Sequence, residues 1–233
     1  MSTSKTRFRG QFNPFNYSEV KQLFITLLTT LPDESGRGAI LIATSHVEDH
    51  LTKLIEAVIP ETVSRKNKKR LFSYPGNLSS FSSKIELAYI FRLINKNLYN
   101  SLNALRKLRN KAAHNSSKFE LLELNEELKS IYELGPGLSI LIRQVCNQII
   151  VDQKSDQIRS LLISEPTLSI ADKKKIFEEI FSKTENIEIM EKQVPYLEMA
   201  FGLSFLCGLI VYNKIKIIKL TNDIKVFGDL LID

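Results

Sequence analysis

The chain has 233 residues, 43% hydrophobic and 25% charged, with 32 Lys/Arg against 26 Asp/Glu for a net charge of +6. That length and near-average composition suit one large domain or two small ones with a real core, and they exclude disordered, collagenous and coiled-coil classes. Two cysteines, Cys146 and Cys207, exclude a disulfide framework and a four-cysteine zinc site. The charge is unevenly divided. Residues 1–118 carry 19 Lys/Arg against 8 Asp/Glu, whereas residues 119–233 carry 13 against 18.

In chain order, residues 1–16 read as an amino-terminal arm, basic but without the apolar run of a secretory signal. Residues 17–31 repeat apolar positions at three and four, with Val20, Leu23, Phe24, Leu27 and Leu28 on one side, and predict a helix ended by Pro32. A second helix is expected from Glu34 to Ile59 with an inward stripe of Ile40, Ala43, Val47, Leu51, Leu54, Ile55 and Val58. Residues 60–78 read as a connector holding the basic run 65–70 on a loop, with Pro75-Gly76 as turn chemistry. Ser79 or Ser80 is expected to cap a helix through Leu93. A fourth helix spans about Lys96 to Ala113, where Leu98, Leu102, Leu105, Leu108 and Ala112 form one buried stripe before His114-Asn115-Ser116-Ser117 breaks it.

The second half predicts helices over Leu122–Leu134 and Leu138–Val151, the latter with Leu141, Ile142, Val145 and Ile149 inward. Shorter helices follow at 155–163, 169–182 and 185–193, then a long one at 196–220. Residues 206–212 and 215–220 are partly strand-like in composition. Met199–Tyr212 is apolar over about 14 residues, short of the roughly 20 that span a bilayer, and reads as a buried helix. The expectation is an all-α, up-and-down bundle over 17–155 with a helical extension over 156–233, in a cytoplasmic protein without a membrane partner.

The densest chemistry lies at Leu105–His114. Arg109 and His114 are five apart and diverge by about 140° on an ideal helix, whereas Asn110 and His114, four apart, share a face. Arg109 could hold a phosphate and His114 act as acid or base, because imidazole titrates near neutral pH. Equally, Arg106, Lys107, Arg109, Lys111 and a terminal His suit the negative end of a helix dipole without any catalysis. Arg65, Lys66, Lys68, Lys69 and Arg70 form a second cationic cluster able to meet phosphates. No aromatic residue interleaves it, so contact would read backbone rather than base. His46 and His50 have a metal-ligand spacing but no third histidine nearby, and a solvated helix face accounts for them better. No metal site and no cofactor is expected. Asp49 is a candidate carboxylate to orient the Arg109 guanidinium. Cys146 and Cys207 read as buried structural thiols.

The segments Glu34–Ile59 and Leu71–His114 resemble the mannitol operon repressor family. The matching features are Glu34 and Arg37, Asp49, Leu71-Phe72, Phe81-Ser82-Ser83-Lys84-Ile85, Leu87-Ala88-Tyr89, and Arg106-Lys107-Leu108-Arg109-Asn110 with Ala113-His114. They run in order over about 80 residues. Arg92 departs from the pattern, standing where a small residue is expected before Leu93-Ile94, and the resemblance ends by about residue 155. The Arg-Asn-x3-His ending is similar to the motif of the wider HEPN superfamily of helical bundles, whose active members are metal-independent ribonucleases. The resemblance implies a homodimeric regulator of sugar-alcohol uptake and metabolism that acts through protein partners. Consistent with that, the sequence shows no helix-turn-helix phrase and no zinc-finger spacing. The alternative it implies is an endoribonuclease, with RNA as partner and Arg109, Asn110 and His114 as its catalytic residues.

Overall fold

The computed structural model describes residues 12–114, 119–164 and 167–229, with side chains described as far as residue 221. The fold is an all-α helical bundle, with no strand among the described residues. Its helices are α1 (Ser18–Thr30), α2 (Gly36–Glu56), α3 (Arg65–Phe72), α4 (Phe81–Ile90), α5 (Lys96–His114), α6 (Asn125–Tyr132), α7 (Leu138–Ile163), α8 (Ile170–Phe181) and α9 (Thr184–Asp229).

Local chemistry sets several starts. Ser35, Ser64, Ser80 and Ser169 each lend a side-chain oxygen to an N–H of the first turn, at α2, α3, α4 and α8. The expected stripes of α2 and α5 are the core: Ile40, Ala43, Val47, Leu51 and Leu54 are fully buried, and Leu98, Leu102, Leu105 and Leu108 are at most 2% exposed. Burying each such leucine is worth about 1.5–3 kcal/mol, which outweighs the poor helix propensity of the asparagines interleaved along α5. Of the expected amino-terminal arm, residues 12–16 dock on the bundle and residues 1–11 lie outside the described residues. Phe15 meets Phe24, Phe201 and Phe205 at ring-centroid distances of 5.1, 6.2 and 6.1 Å.

Several expectations change, among them Leu28, which is 37% exposed rather than inward, and the helix expected over Leu122–Leu134, which is α6 preceded by a 3-10 turn at Leu121–Leu124. The basic run is helical, because Ser64 caps it and Leu71 and Phe72 pin it on the core. α4 ends at Ile90, where Arg92 takes a left-handed φ of 57° and the Leu93 and Ile94 N–H groups both return to the Ala88 carbonyl. The helices expected at 138–151 and 155–163 are one helix, α7. Its inward residues are Ile142, Cys146, Ile150 and Ile158, while Leu141 and Val145 are 55% and 39% exposed.

The largest change concerns the carboxy-terminal half. The helices expected at 185–193 and 196–220 are one, α9, which runs through Pro195 and includes the two strand-like stretches. Pro195 removes one ladder hydrogen bond, yet Met190 and Val194 before it and Met199–Val211 after it are packed into protein, and that burial holds the helix together. Met199, Ala200, Leu203, Leu206, Cys207 and Ile210 belong to the same core as α1, α2, α4 and α5. Most of the buried face of α9 therefore joins that core, beside a smaller cluster of Ile150, Met190 and Val194, so the expected extension supplies a helix on which the others pack. This also explains its apolar composition. α9 is long and apolar enough to cross a membrane by length and composition, and 72% of that apolar window is buried inside the bundle.

Candidate functional site

The free end of α5 is held by α2. Arg37 donates from Nη1 to the Ala112 carbonyl at 2.7 Å and lies 5.8 Å over the Phe119 ring. A guanidinium from another helix thus satisfies a terminal carbonyl that α5 cannot satisfy itself. Around this anchored end, Arg109, Asn110 and His114 are all exposed. Arg109 Nη1 donates to Asn110 Oδ1 at 3.3 Å. His114 makes no hydrogen bond or ion pair among the described residues. Arg109 and Asn110 are therefore together, while His114 stands one turn beyond Asn110 on the same face. Residues 115–118, expected to break the helix, lie outside the described residues.

Opposite the buried stripe, α5 carries Lys96, Asn100, Asn103, Lys107, Asn110 and His114, spaced 4, 3, 4, 3 and 4. This is one continuous outward face of amides and cations. A shallow groove of about 440 Å³ runs beside it, with Lys107 and Lys111 on one wall and Glu127 and Ser130 of α6 on the other. Lys111 pairs with Glu127 at 2.9 Å and holds that carboxyl below its ordinary range. Arg106 Nε donates to Asn103 Oδ1 at 3.2 Å. Of these three cations expected to meet a nucleic acid, Lys107 alone has no such partner among the described residues. The acidic half of the chain thus borders the basic one at α6.

On α3, Arg65, Lys66, Lys69 and Arg70 are exposed and Lys68 is half-buried. None forms an ion pair among the described residues. Helical geometry aligns Arg65 with Lys69 and Lys66 with Arg70, so the cluster has a fixed shape that a loop would lack. Gly76 makes this possible: a Cβ there would run into the carbonyls of Arg70, Leu71 and Ser73. No hydrogen bond or ion pair joins the α3 cations to those of α5 among the described residues.

Asp49 does not serve the role expected of it. The Arg37–Ala112 contact places the start of α2 at the end of α5, and Asp49 lies twelve residues, about 18 Å, further along α2. It is exposed and forms no ion pair among the described residues. The solvated face expected for the histidine pair is also corrected. His50 is 7% exposed, its Nδ1 meets the His46 carbonyl at 2.8 Å, and its Nε2 is buried without a partner. Burial lowers the pKa of His50 from 6.5. Among the described residues no group of three His, Cys, Asp or Glu side chains is gathered as metal ligands would be. Both cysteines are buried, and burial pushes the Cys146 thiol up to about 12 and Cys207 higher still.

One cluster has no signal in the sequence. Arg143 of α7 binds Glu198 of α9 at 2.6 Å and Asn125 of α6 at 2.7 Å, beside the buried Tyr132. These residues are up to 73 positions apart, and no spacing rule links them.

A scan against protein-family models and searches of curated proteins and solved structures found no match.

Proposed function

We propose that the protein is a regulatory interaction protein of the mannitol-repressor type. It is a cytoplasmic homodimer that acts through protein partners on genes of sugar-alcohol uptake and metabolism, without a DNA-reading element of its own. The observation that carries this reading is the second apolar strip of α7. Ile142, Cys146 and Ile150 are spent on the core, whereas Leu141 and Val145, one position earlier in each pair, stay exposed, with the half-buried Ile149 continuing their line. A helix with two apolar stripes, one of them uncovered, suits a bundle that docks with another protein. The family-like phrases add support, since they fall on the contiguous segment α2–α5.

The test is transcription of the sugar-alcohol genes in a strain lacking the protein, complemented by the wild type or by Leu141→Asp/Val145→Asp. Altered transcription restored by the wild type alone is expected. Transcription that is unchanged by deletion, or restored equally by both proteins, counts against the proposal.

A second reading is a metal-independent endoribonuclease, favoured by the exposed Arg109–Asn110 pair with His114 one turn away. In it Arg109 steadies the phosphate and Asn110 assists. His114 takes the proton of the attacking 2′-hydroxyl or delivers one to the departing 5′-oxygen, leaving a cyclic phosphate. Single-stranded RNA incubated in EDTA tests it: cleavage lost in His114→Ala supports the reading, and no cleavage by the wild type, or equal cleavage by both, removes it.

A further inference from the structure

Between α6, α7 and α9 lies a cavity of about 310 Å³ lined by Asn125, Tyr132, Ser139, Arg143, Asn147 and Glu198, among others. Its floor is built. The Glu198 side chain is 6% exposed and accepts from Arg143 Nε at 2.6 Å, and Arg143 Nη2 donates to Asn125 Oδ1 at 2.7 Å. Tyr132 is 2% exposed, and its hydroxyl is buried with no hydrogen-bond partner. Gly202 sets that ring: any Cβ there would collide with it. A buried hydroxyl without a partner is costly, and such groups ordinarily have one. The charges on the wall cancel, Arg143 and Lys129 against Glu126 and Glu198.

We propose that this cavity binds a small neutral polyhydroxylated molecule. An anion would meet the Glu198 carboxylate, and a cation would meet the Arg143 guanidinium. An apolar guest would leave the Tyr132 hydroxyl as it stands. A zwitterion needs a separate cation and anion, but Arg143 and Glu198 are already engaged with each other. Hydroxyl groups donate and accept at once, and so use what remains: the free Arg143 Nη1, the second lone pairs of Glu198, the amides of Asn125 and Asn147, and the phenol. The volume is at the small end of the usual range for ligand sites. The inference stands apart from the regulatory reading, since binding can occur whether or not transcription responds.

Titration calorimetry on the full chain tests it, with glucose and sorbitol as probes and glycine and acetate as controls. Saturable binding of a polyhydroxyl probe is expected, with none for either control. Tyr132→Phe removes only the hydroxyl and should weaken binding about tenfold. Asn147→Ala, at an exposed position of the wall, should also weaken it while leaving the circular dichroism spectrum unchanged. Absence of saturable binding to both polyhydroxyl probes, preference for glycine or acetate, or unchanged affinity in both variants would overturn the proposal.

Discussion

Two residues hold conformations or states that their surroundings impose. Arg92 is in the left-handed region at φ 57° so that α4 can close on the Ala88 carbonyl, a position where glycine carries no Cβ penalty. Arg92→Gly should therefore stabilise the protein by about 1 kcal/mol, read by urea denaturation; a loss of stability would show that the Arg92 side chain outweighs its backbone strain. His50 is held neutral, with burial as the main cause of its lowered pKa. Below the unfolded value of 6.5 the unfolded chain binds the extra proton and the native one does not, so stability falls as pH drops from 6.5 toward the native pKa. His50→Gln should flatten that part of the stability–pH curve. An equal slope in both proteins would assign the acid sensitivity elsewhere.

At the scale of elements, legibility tracked how a helix meets its surroundings. α5 buries one stripe, which its periodicity names down to Ala112; on α2 periodicity names Ile40 to Ile55 but misses the buried His50 and reaches Val58, which is half-buried beyond the helix end. α7 carries two apolar stripes a residue apart, and periodicity alone cannot say which one the bundle takes. α9 is buried on most sides over Met199–Val211, so it has no polar face to mark its register, and Pro195 reads as a break because the compensating burial is tertiary. α3 was hidden for the opposite reason: six polar residues precede the two that anchor it. Its helical form makes the cation cluster testable as a unit. Lys66→Glu/Lys69→Glu/Arg70→Glu should weaken single-stranded polyanion binding, more at 50 mM than at 200 mM salt, lowering the salt slope by roughly 0.7 for each phosphate no longer neutralised. Binding independent of salt, in wild type and variant alike, would remove the cluster from any polyanion surface.

On the scale of the whole molecule, the division of charge has a structural counterpart. Ion pairs join the two halves of the chain in both senses, Lys111 of the basic half with Glu127 of the acidic half and Lys214 of the acidic half with Glu19 of the basic one, so only the first answers the excess of cations. Among the described residues, the densest run of cations without an ion pair is on α3. The candidate catalytic residues were legible because they follow one another on a single helix. The Arg37 anchor that holds their end was legible only as a matching residue, and the Arg143–Glu198–Tyr132 cluster was invisible, because each is assembled from distant helices. The uncovered Leu141–Val145 strip belongs to the same lesson, and the proposed function rests most heavily on it. Light scattering on the full chain is the direct measurement. A particle of about twice 26.6 kDa is predicted for the wild type and one of 26.6 kDa for Leu141→Asp/Val145→Asp with unchanged helicity. A wild-type particle of 26.6 kDa, or a variant that remains dimeric, would contradict it.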